Sequence, residues 1–247
     1  MSNVTRGGTA SELLHQPAEN TAHGPEQLGT GRYHFVHTAS SYLRTVQRVS
    51  KKAGGQAITG SIEHLERQLW VASDGSGRLL VTQNGESVQP TGEFLPGRLT
   101  AAFITTTDPV ALAAELRKRN PAGSSSAAMN TLSEIWSNQV VTPPVQRLLL
   151  LNLADHPDLS VEVAPQELAV GPSTAIGHID EERHVRHVLV FDQKTGALTG
   201  AEATALDGAK VPIRTPAIIS STRWLLYGYS TTTDTPPQPN APGAQFS

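Results

Sequence analysis

Histidines are the residues of this chain with the most evident chemical potential, and the densest group is His178, His184 and His187. On a helix, side chains three or four positions apart would converge on a metal ion, but the surrounding pattern is typical of strands. In a strand, residues an odd number of positions apart face opposite sides of the sheet. We therefore expect His184 and His187 to point apart and His178 to pair with only one of them. The sequence predicts no metal site.

Other catalytic signatures are missing. The chain has no cysteine, no G-x-S-x-G nucleophile motif, no P-loop and no glycine-rich dinucleotide fingerprint, so no cofactor is indicated. A general-base role stays open for His34, His64 or His187, provided that a carboxylate lies beside the ring and orients it. A non-enzymatic function is favoured, and a small barrel enzyme acting on an apolar substrate is the alternative.

Composition limits the partners. The net charge is −3 and charged residues make up 17% of the 247 residues. Nucleic-acid binding needs clustered lysine and arginine to neutralise phosphates, so no nucleic-acid partner is expected. No apolar run is long enough to span a bilayer and the N-terminus lacks a signal-peptide pattern. The chain as given is expected to be soluble, with membrane association only through a segment absent from it.

Two turn signals, Asp74 to Gly77 and Gln193 to Gly196, lie on either side of a helical middle. Period-two alternation predicts strands before and after that middle, while Asp108-Pro109, Ser124 to Ser126 and Thr142-Pro143 indicate three helix starts. The expected strands are 33–49, 62–72, 78–83, 159–163, 175–180, 184–191, 197–206 and 223–229.

This order of elements predicts the α+β class: one strongly curved antiparallel sheet, an open half-barrel, covered by about three helices. Residues 32–230 are expected to form this single domain. Residues 1–31 are expected to be a flexible segment with at most one short helix, because Pro17 interrupts the pattern from Ala10 to Ala22. Residues 231–247 contain too few apolar groups to offset the entropy of ordering, so a disordered Pro/Thr-rich tail is expected.

Aromatic residues are scarce, at 5% of the chain, so most large ones are expected in the core. The alternative is that some of them line an apolar pocket between the sheet and its helical cover. The candidates for ligand binding are Tyr33, Phe35, Trp70, Trp136 and Trp224.

Three segments carry a family resemblance: Leu69 to Arg78, Thr107 to Leu112, and Val190 to Leu198 with its Phe-Asp-x-x-Thr-Gly phrase. They resemble the outer domain of an actinobacterial membrane-protein family encoded beside extracytoplasmic-function sigma factors. That family is similar, more distantly, to the LolA, LppX and RseB half-barrels, which hold acyl chains or sense envelope lipoproteins.

The resemblance implies a sensory or ligand-binding domain outside the cytoplasm, membrane-associated in the full-length protein and linked to sigma-factor signalling. It implies an apolar ligand, either a lipid or a hydrophobic peptide, and no catalytic residue. A domain that binds a regulatory protein partner is a further alternative.

Overall fold

The computed structural model describes residues 8–23, 28–49, 56–99 and 103–238. Within these ranges the chain forms ten strands and four α-helices, together with a short 3-10 turn. The helices are α1 Ala10–Asn20, α2 Pro109–Arg119, α3 Ser125–Asn138 and α4 Pro143–Ala154. The strands are β1 Tyr33–Val49, β2 Gln56–Val71, β3 Gly77–Gln83, β4 Glu86–Ser87, β5 Gly92–Phe94, β6 Ser160–Glu162, β7 Ser173–Asp180, β8 Val185–Asp192, β9 Leu198–Ala205 and β10 Ala217–Ser230.

All ten strands belong to one antiparallel sheet in the order β4-β3-β2-β1-β10-β9-β8-β7-β6, with β5 on β3. In the described ranges the edge strands do not pair with each other, so the sheet is open. The predicted α+β class and the single antiparallel sheet are confirmed. The three predicted helices are present, and α1 is a fourth.

Each predicted helix begins at the residue type that favours a start. Asp108 Oδ1 accepts a hydrogen bond from Ala111 N at 2.7 Å, and Ser124 Oγ accepts one from Ala127 N at 3.3 Å. Helix α1 begins with a capping box between Thr9 and Glu12. Pro17 has no backbone N–H and so cannot donate a hydrogen bond to the preceding turn. The helix nevertheless continues through Pro17, because Leu14 and Ala18 are completely buried in the core. Tertiary packing overrides the local signal at this point.

One face of the sheet, here called the helix-covered face, carries Val36, Ile176, Leu189 and Trp224 into a core shared with all four helices. Helix α3 supplies Met129, Leu132, Ile135 and Trp136, the stripe expected from its sequence. Toward β3 on the same face, Leu69 and Leu79 belong to a smaller apolar cluster that includes Phe94 of β5 and Phe103.

The opposite side, the helix-free face, is covered in three places. Residues 231–238 lie over Trp70, whose Nε1 donates to the carbonyl oxygen of Thr235 at 3.1 Å. Leu168, in the β6–β7 connection, lies over Gly200, where an added Cβ would come within 2.5 Å of the leucine Cβ. Pro212 and Ile213, in the β9–β10 connection, reach across β1 to Gly60 of β2.

The sequence predicts disorder from residue 231 onward. In the structure residues 231–238 are held by backbone acceptors and one ion pair, between Arg78 and Asp234 at 3.4 Å. These partners lie about 155 to 165 positions away along the chain, so composition gives no sign of them. Residues 239–247 lie outside the described ranges, as do 1–7 and 24–27 of the N-terminal segment. None of the helices in the described ranges has the length and apolar content that crossing a bilayer requires.

Candidate functional site

The three coverings of the helix-free face leave an open depression of about 630 Å³ between them, here called the sheet groove. Its floor is formed by Ala39, Ser41, His64, Glu66, Ser221 and Arg223 of β1, β2 and β10. One wall is Thr82 with the β3–β4 turn, and the opposite wall is Glu167 with Leu168. Its volume lies within the range of small-molecule sites in proteins.

Small side chains on the central strands create the depression. Ala39, Ser41 and Ser221 occupy positions where a covered sheet would carry large apolar groups. Register places Ser41 directly opposite both His64 and Ser221, so three neighbouring strands present short or polar side chains side by side. Alternation predicts a strand over 33–49 but does not predict this floor, because the pairing of β1 with β2 and β10 does not follow from neighbouring residues.

The groove contains charges of both signs. His37 Nε2 lies 3.6 Å from Glu66 Oε2, within ion-pair distance when the ring is protonated, and Arg223 and Glu167 are exposed. His37 Nε2 is buried and has no hydrogen-bond partner within the described structure. A bound ligand would therefore contact hydrogen-bonding groups on the floor. Because charges of both signs are present, the groove does not strongly favour either a cationic or an anionic ligand.

The floor continues into aliphatic side chains at the end marked by the β9–β10 connection. Leu43 and Ile62 are directly opposite each other, on the same face as Ser41 and His64. Ile62 is 41% exposed and Ile218, which faces the same side, is 46% exposed. Leu43 also lies beside Pro212 and Ile213 above Gly60. Exposed aliphatic groups clustered beside a depression are typical of binding surfaces.

The three candidate general bases are separated in the structure. His34 lies on the helix-covered face, where Nδ1 accepts a hydrogen bond from Val140 N at 3.0 Å and the ring packs 4.3 Å from that of Phe103. Burial lowers the pKa of His34. His64 is the one candidate of the three that lines the groove, with Glu66 two positions along the same strand and on the same face. No hydrogen bond joins His64 to Ser41 opposite it, so a nucleophile and base pair is not formed there.

His178, His184 and His187 do not converge, and His178 pairs with only one of the other two, as the strand pattern predicts. His178 is directly opposite His187 on β7 and β8, whereas His184 occupies the connecting turn with φ +54°. Burial lowers the pKa of His187, partly offset by Asp180 nearby. Within the described ranges no three histidine, aspartate or glutamate side chains converge as a metal site would require.

The five aromatic candidates do not meet at one place. Phe35 and Trp70 are in contact on the helix-free face, with ring centroids 4.7 Å apart beneath residues 231–238. Trp136 and Trp224 belong to the core of the helix-covered face. Tyr33 is half-buried, with the Arg32 guanidinium 4.8 Å from its ring centroid. None of the five lines the sheet groove.

A small cavity lies between α3 and the sheet. It lies against strands β8 to β10, has a volume of about 100 Å³ and is lined by Ser133, His187 and Thr222 among others. This volume is far smaller than that of a typical ligand site. The sheet groove is on the other face, whereas the sequence predicts an apolar pocket beneath the helical cover.

Two of the three segments that carry the family resemblance contain tight turns. Asp192 Oδ1 accepts hydrogen bonds from Lys194 N, Thr195 N and Thr195 Oγ1 at 2.8 to 3.0 Å, and Gly196 adopts φ +68°. In the same way Asp74 accepts from Ser76 Oγ at 2.6 Å and from Ser76 N at 2.9 Å, which lowers the pKa of Asp74. In comparisons with known proteins, no protein-family model and no curated protein matches the chain.

Proposed function

We propose that the protein is a non-enzymatic extracytoplasmic binding or sensory domain whose sheet groove takes an extended, partly apolar ligand, either a lipid or a hydrophobic peptide. The observation that carries this proposal is the continuity of the groove floor with the aliphatic group Leu43, Ile62 and Ile218. A ligand with a polar end and an apolar chain matches that succession of surfaces.

Burial of the apolar chain of such a ligand can supply the free energy of binding. Burying an acyl chain contributes about 0.8 kcal/mol per methylene, so about ten buried carbons correspond to micromolar affinity. The partly exposed Ile62 and Ile218 gain burial from the same contact. Serine, histidine and arginine side chains on the floor can hydrogen-bond the polar end.

We further propose that the sheet is a strongly curved open half-barrel that bends toward the helix-free face, whereas the LolA, LppX and RseB half-barrels wrap over their helices. Thr82 of β3 and the segment above β9 line one depression although four strand spacings, about 19 Å in a flat sheet, separate these strands. Pairing irregularities at His37/Thr38, Ile218/Ser220 and Val190/Phe191 support bending, because bulges bend and twist strands. In the full-length protein the domain would stand at the outer face of the membrane and pass ligand occupancy to a regulatory partner of sigma-factor signalling.

The test fills the groove. We expect cis-parinaric acid, a fluorescent fatty acid, to bind saturably, and an extended apolar peptide to compete if the site takes either class. Ser41→Phe places a ring on the groove floor and should weaken binding by about tenfold or more. Ser61→Phe is the matched control, since Ser61 is exposed on the same sheet but faces the other side. Equal binding by Ser41→Phe and the unsubstituted protein would exclude the groove as the site.

A second candidate, an enzyme with His64 as general base, is supported by the place of His64 in the groove beside Glu66. Turnover of a p-nitrophenyl ester of a fatty acid, abolished by His64→Gln while parinaric acid still binds, would favour it over the binding domain. If neither the unsubstituted protein nor His64→Gln hydrolyses the ester faster than buffer alone, the enzyme candidate is excluded.

A further inference from the structure

A second depression, here called the helix crevice, lies between α2, α3 and α4, and its volume is about 240 Å³. Its floor is apolar and includes Leu116, Ala128 and Leu132, all of them buried. Polar groups of Arg117, Asn152 and His156 stand around it. The crevice is lined by helix residues and by the turns that flank them, and it shares no residue with the sheet groove.

Small residues keep the crevice open. Ala113 on α2 and Ala128 on α3 contribute single methyl groups where larger side chains would close the gap between the helices. Gly123 adopts φ +67°, and a Cβ built there has no heavy atom within 4 Å. The turn that separates the two helices is fixed, since Asn120 Nδ2 donates to Ser124 O at 3.0 Å and Asn120 N donates to Leu116 O at 2.9 Å.

Arg117 gives the crevice a positive charge. Its Nε donates to Ala113 O at 3.2 Å, which holds the guanidinium along the helix beside the crevice. The neighbouring carboxylate, Glu115, is engaged by Lys118 at 3.5 Å and by Arg119 at 3.6 Å. Among the described residues no carboxylate lies within ion-pair distance of Arg117. Its terminal nitrogens have the fork geometry that binds a carboxylate with two hydrogen bonds.

We propose that the helix crevice binds a small monocarboxylate with a compact apolar body, the body on Leu116 and Leu132 and the carboxylate on Arg117. The volume is below the range of drug-sized sites, which favours a ligand of about ten non-hydrogen atoms. Charge complementarity selects the anion, and the apolar floor selects a ring or a branched chain over a sugar.

Benzoate is the probe, and benzyl alcohol is its uncharged counterpart of similar shape. Titration followed by amide NMR is expected to shift resonances of α2, α3 and α4 with benzoate, and to give weaker binding of benzyl alcohol. Arg117→Gln should weaken benzoate binding about tenfold or more, because a charge-assisted bidentate pair is lost, and should leave benzyl alcohol binding unchanged. Lys118→Gln, which removes an adjacent cation outside the crevice, is the matched control for charge.

Ala113→Leu should abolish binding of both probes by filling the crevice, whereas Ala114→Leu, an exposed neighbour on α2, should preserve it. Thermal unfolding of each variant shows whether the fold is kept, and the Arg117→Gln comparison stands if Ala113→Leu does not fold. Absence of saturable benzoate shifts, or equal benzoate affinity in Arg117→Gln and Lys118→Gln, would overturn the proposal. Either result leaves parinaric acid binding in the sheet groove as a separate measurement.

Discussion

His34 Nδ1 accepts a hydrogen bond from the backbone N–H of Val140 at 3.0 Å, which ties β1 to the segment that follows α3. Only the unprotonated nitrogen can accept this bond. The ring also packs between Phe103 and Tyr229, with centroid distances of 4.3 and 5.0 Å. Burial accordingly lowers the pKa of His34 below its ordinary value.

This contact predicts acid destabilisation. Because the folded-state pKa is lowered, the contribution of His34 to stability is complete above the unfolded-state pKa of about 6.5. It is lost as the pH falls from there through the folded-state pKa. His34→Asn keeps a side-chain acceptor and cannot take up the proton, so it should cost about 1 kcal/mol at neutral pH through lost ring contacts. We expect that deficit to shrink on acidification.

Urea unfolding of both proteins between about pH 7.5 and pH 5 measures this difference. His156 and His187, whose pKa values burial also lowers, titrate in both proteins and cancel in the comparison. A deficit that is the same at both ends of the range would contradict the assignment of His34.

Substitution of Gln139 is expected to lower the free energy of unfolding by more than substitution of His34 does, and to do so independently of pH. Gln139 Nε2 donates to Ile104 O and its Oε1 accepts from Ile104 N, both at 2.8 Å, and Gln139 is 3% exposed. Gln139→Ala leaves two buried backbone groups without partners and should lower the free energy of unfolding by about 3 kcal/mol. Glu134→Ala, an exposed change in the last turn of α3, should stay within about 0.5 kcal/mol. A loss below about 1 kcal/mol for Gln139→Ala would mean that water satisfies Ile104.

Alanine substitutions at two glycines distinguish the cost of backbone strain from the cost of a steric clash. Gly196 has φ +68° and an added Cβ would meet the carbonyl oxygen of Pro17, whereas Gly97 has φ +76° with nothing within 4 Å. Gly97→Ala should therefore cost about 1 kcal/mol, the price of the left-handed conformation. Gly196→Ala should cost about 2 kcal/mol more, because α1 must move away from the β8–β9 turn. Chemical denaturation measures both, and equal losses would show that α1 is not firmly docked there.

Local signals account for what the sequence could predict. Asp108, Ser124 and the Asp192 to Gly196 turn involve partners within four residues, so their structures follow from neighbouring residues alone. The groove floor does not follow from neighbouring residues. Its depth depends on where Leu168 and Ile213 lie relative to strands far away in sequence. The continuation of α1 through Pro17 and the ordering of residues 231–238 likewise depend on distant contacts. The helix crevice depends on the spacing of three helices, which alanine and glycine positions do not specify before packing is known.

The segment over Trp70 gives the last prediction. Trp70 is 2% exposed, lies against Phe35, and donates to Thr235 O, while Pro237 lies beside Gly29 and Gly228. Ending the chain at Ser230 removes this cover, so we expect tryptophan emission to shift to the red and the free energy of unfolding to fall by about 2 kcal/mol. A chain that ends at Gln238 keeps the contacts and should keep both properties. Trp70→Phe in the shorter chain should remove the shift, since Trp136 and Trp224 are buried on the other face. Identical emission from the two truncated chains would show that residues 231–238 do not shield Trp70, and the covered end of the helix-free face would then be open to ligand as well.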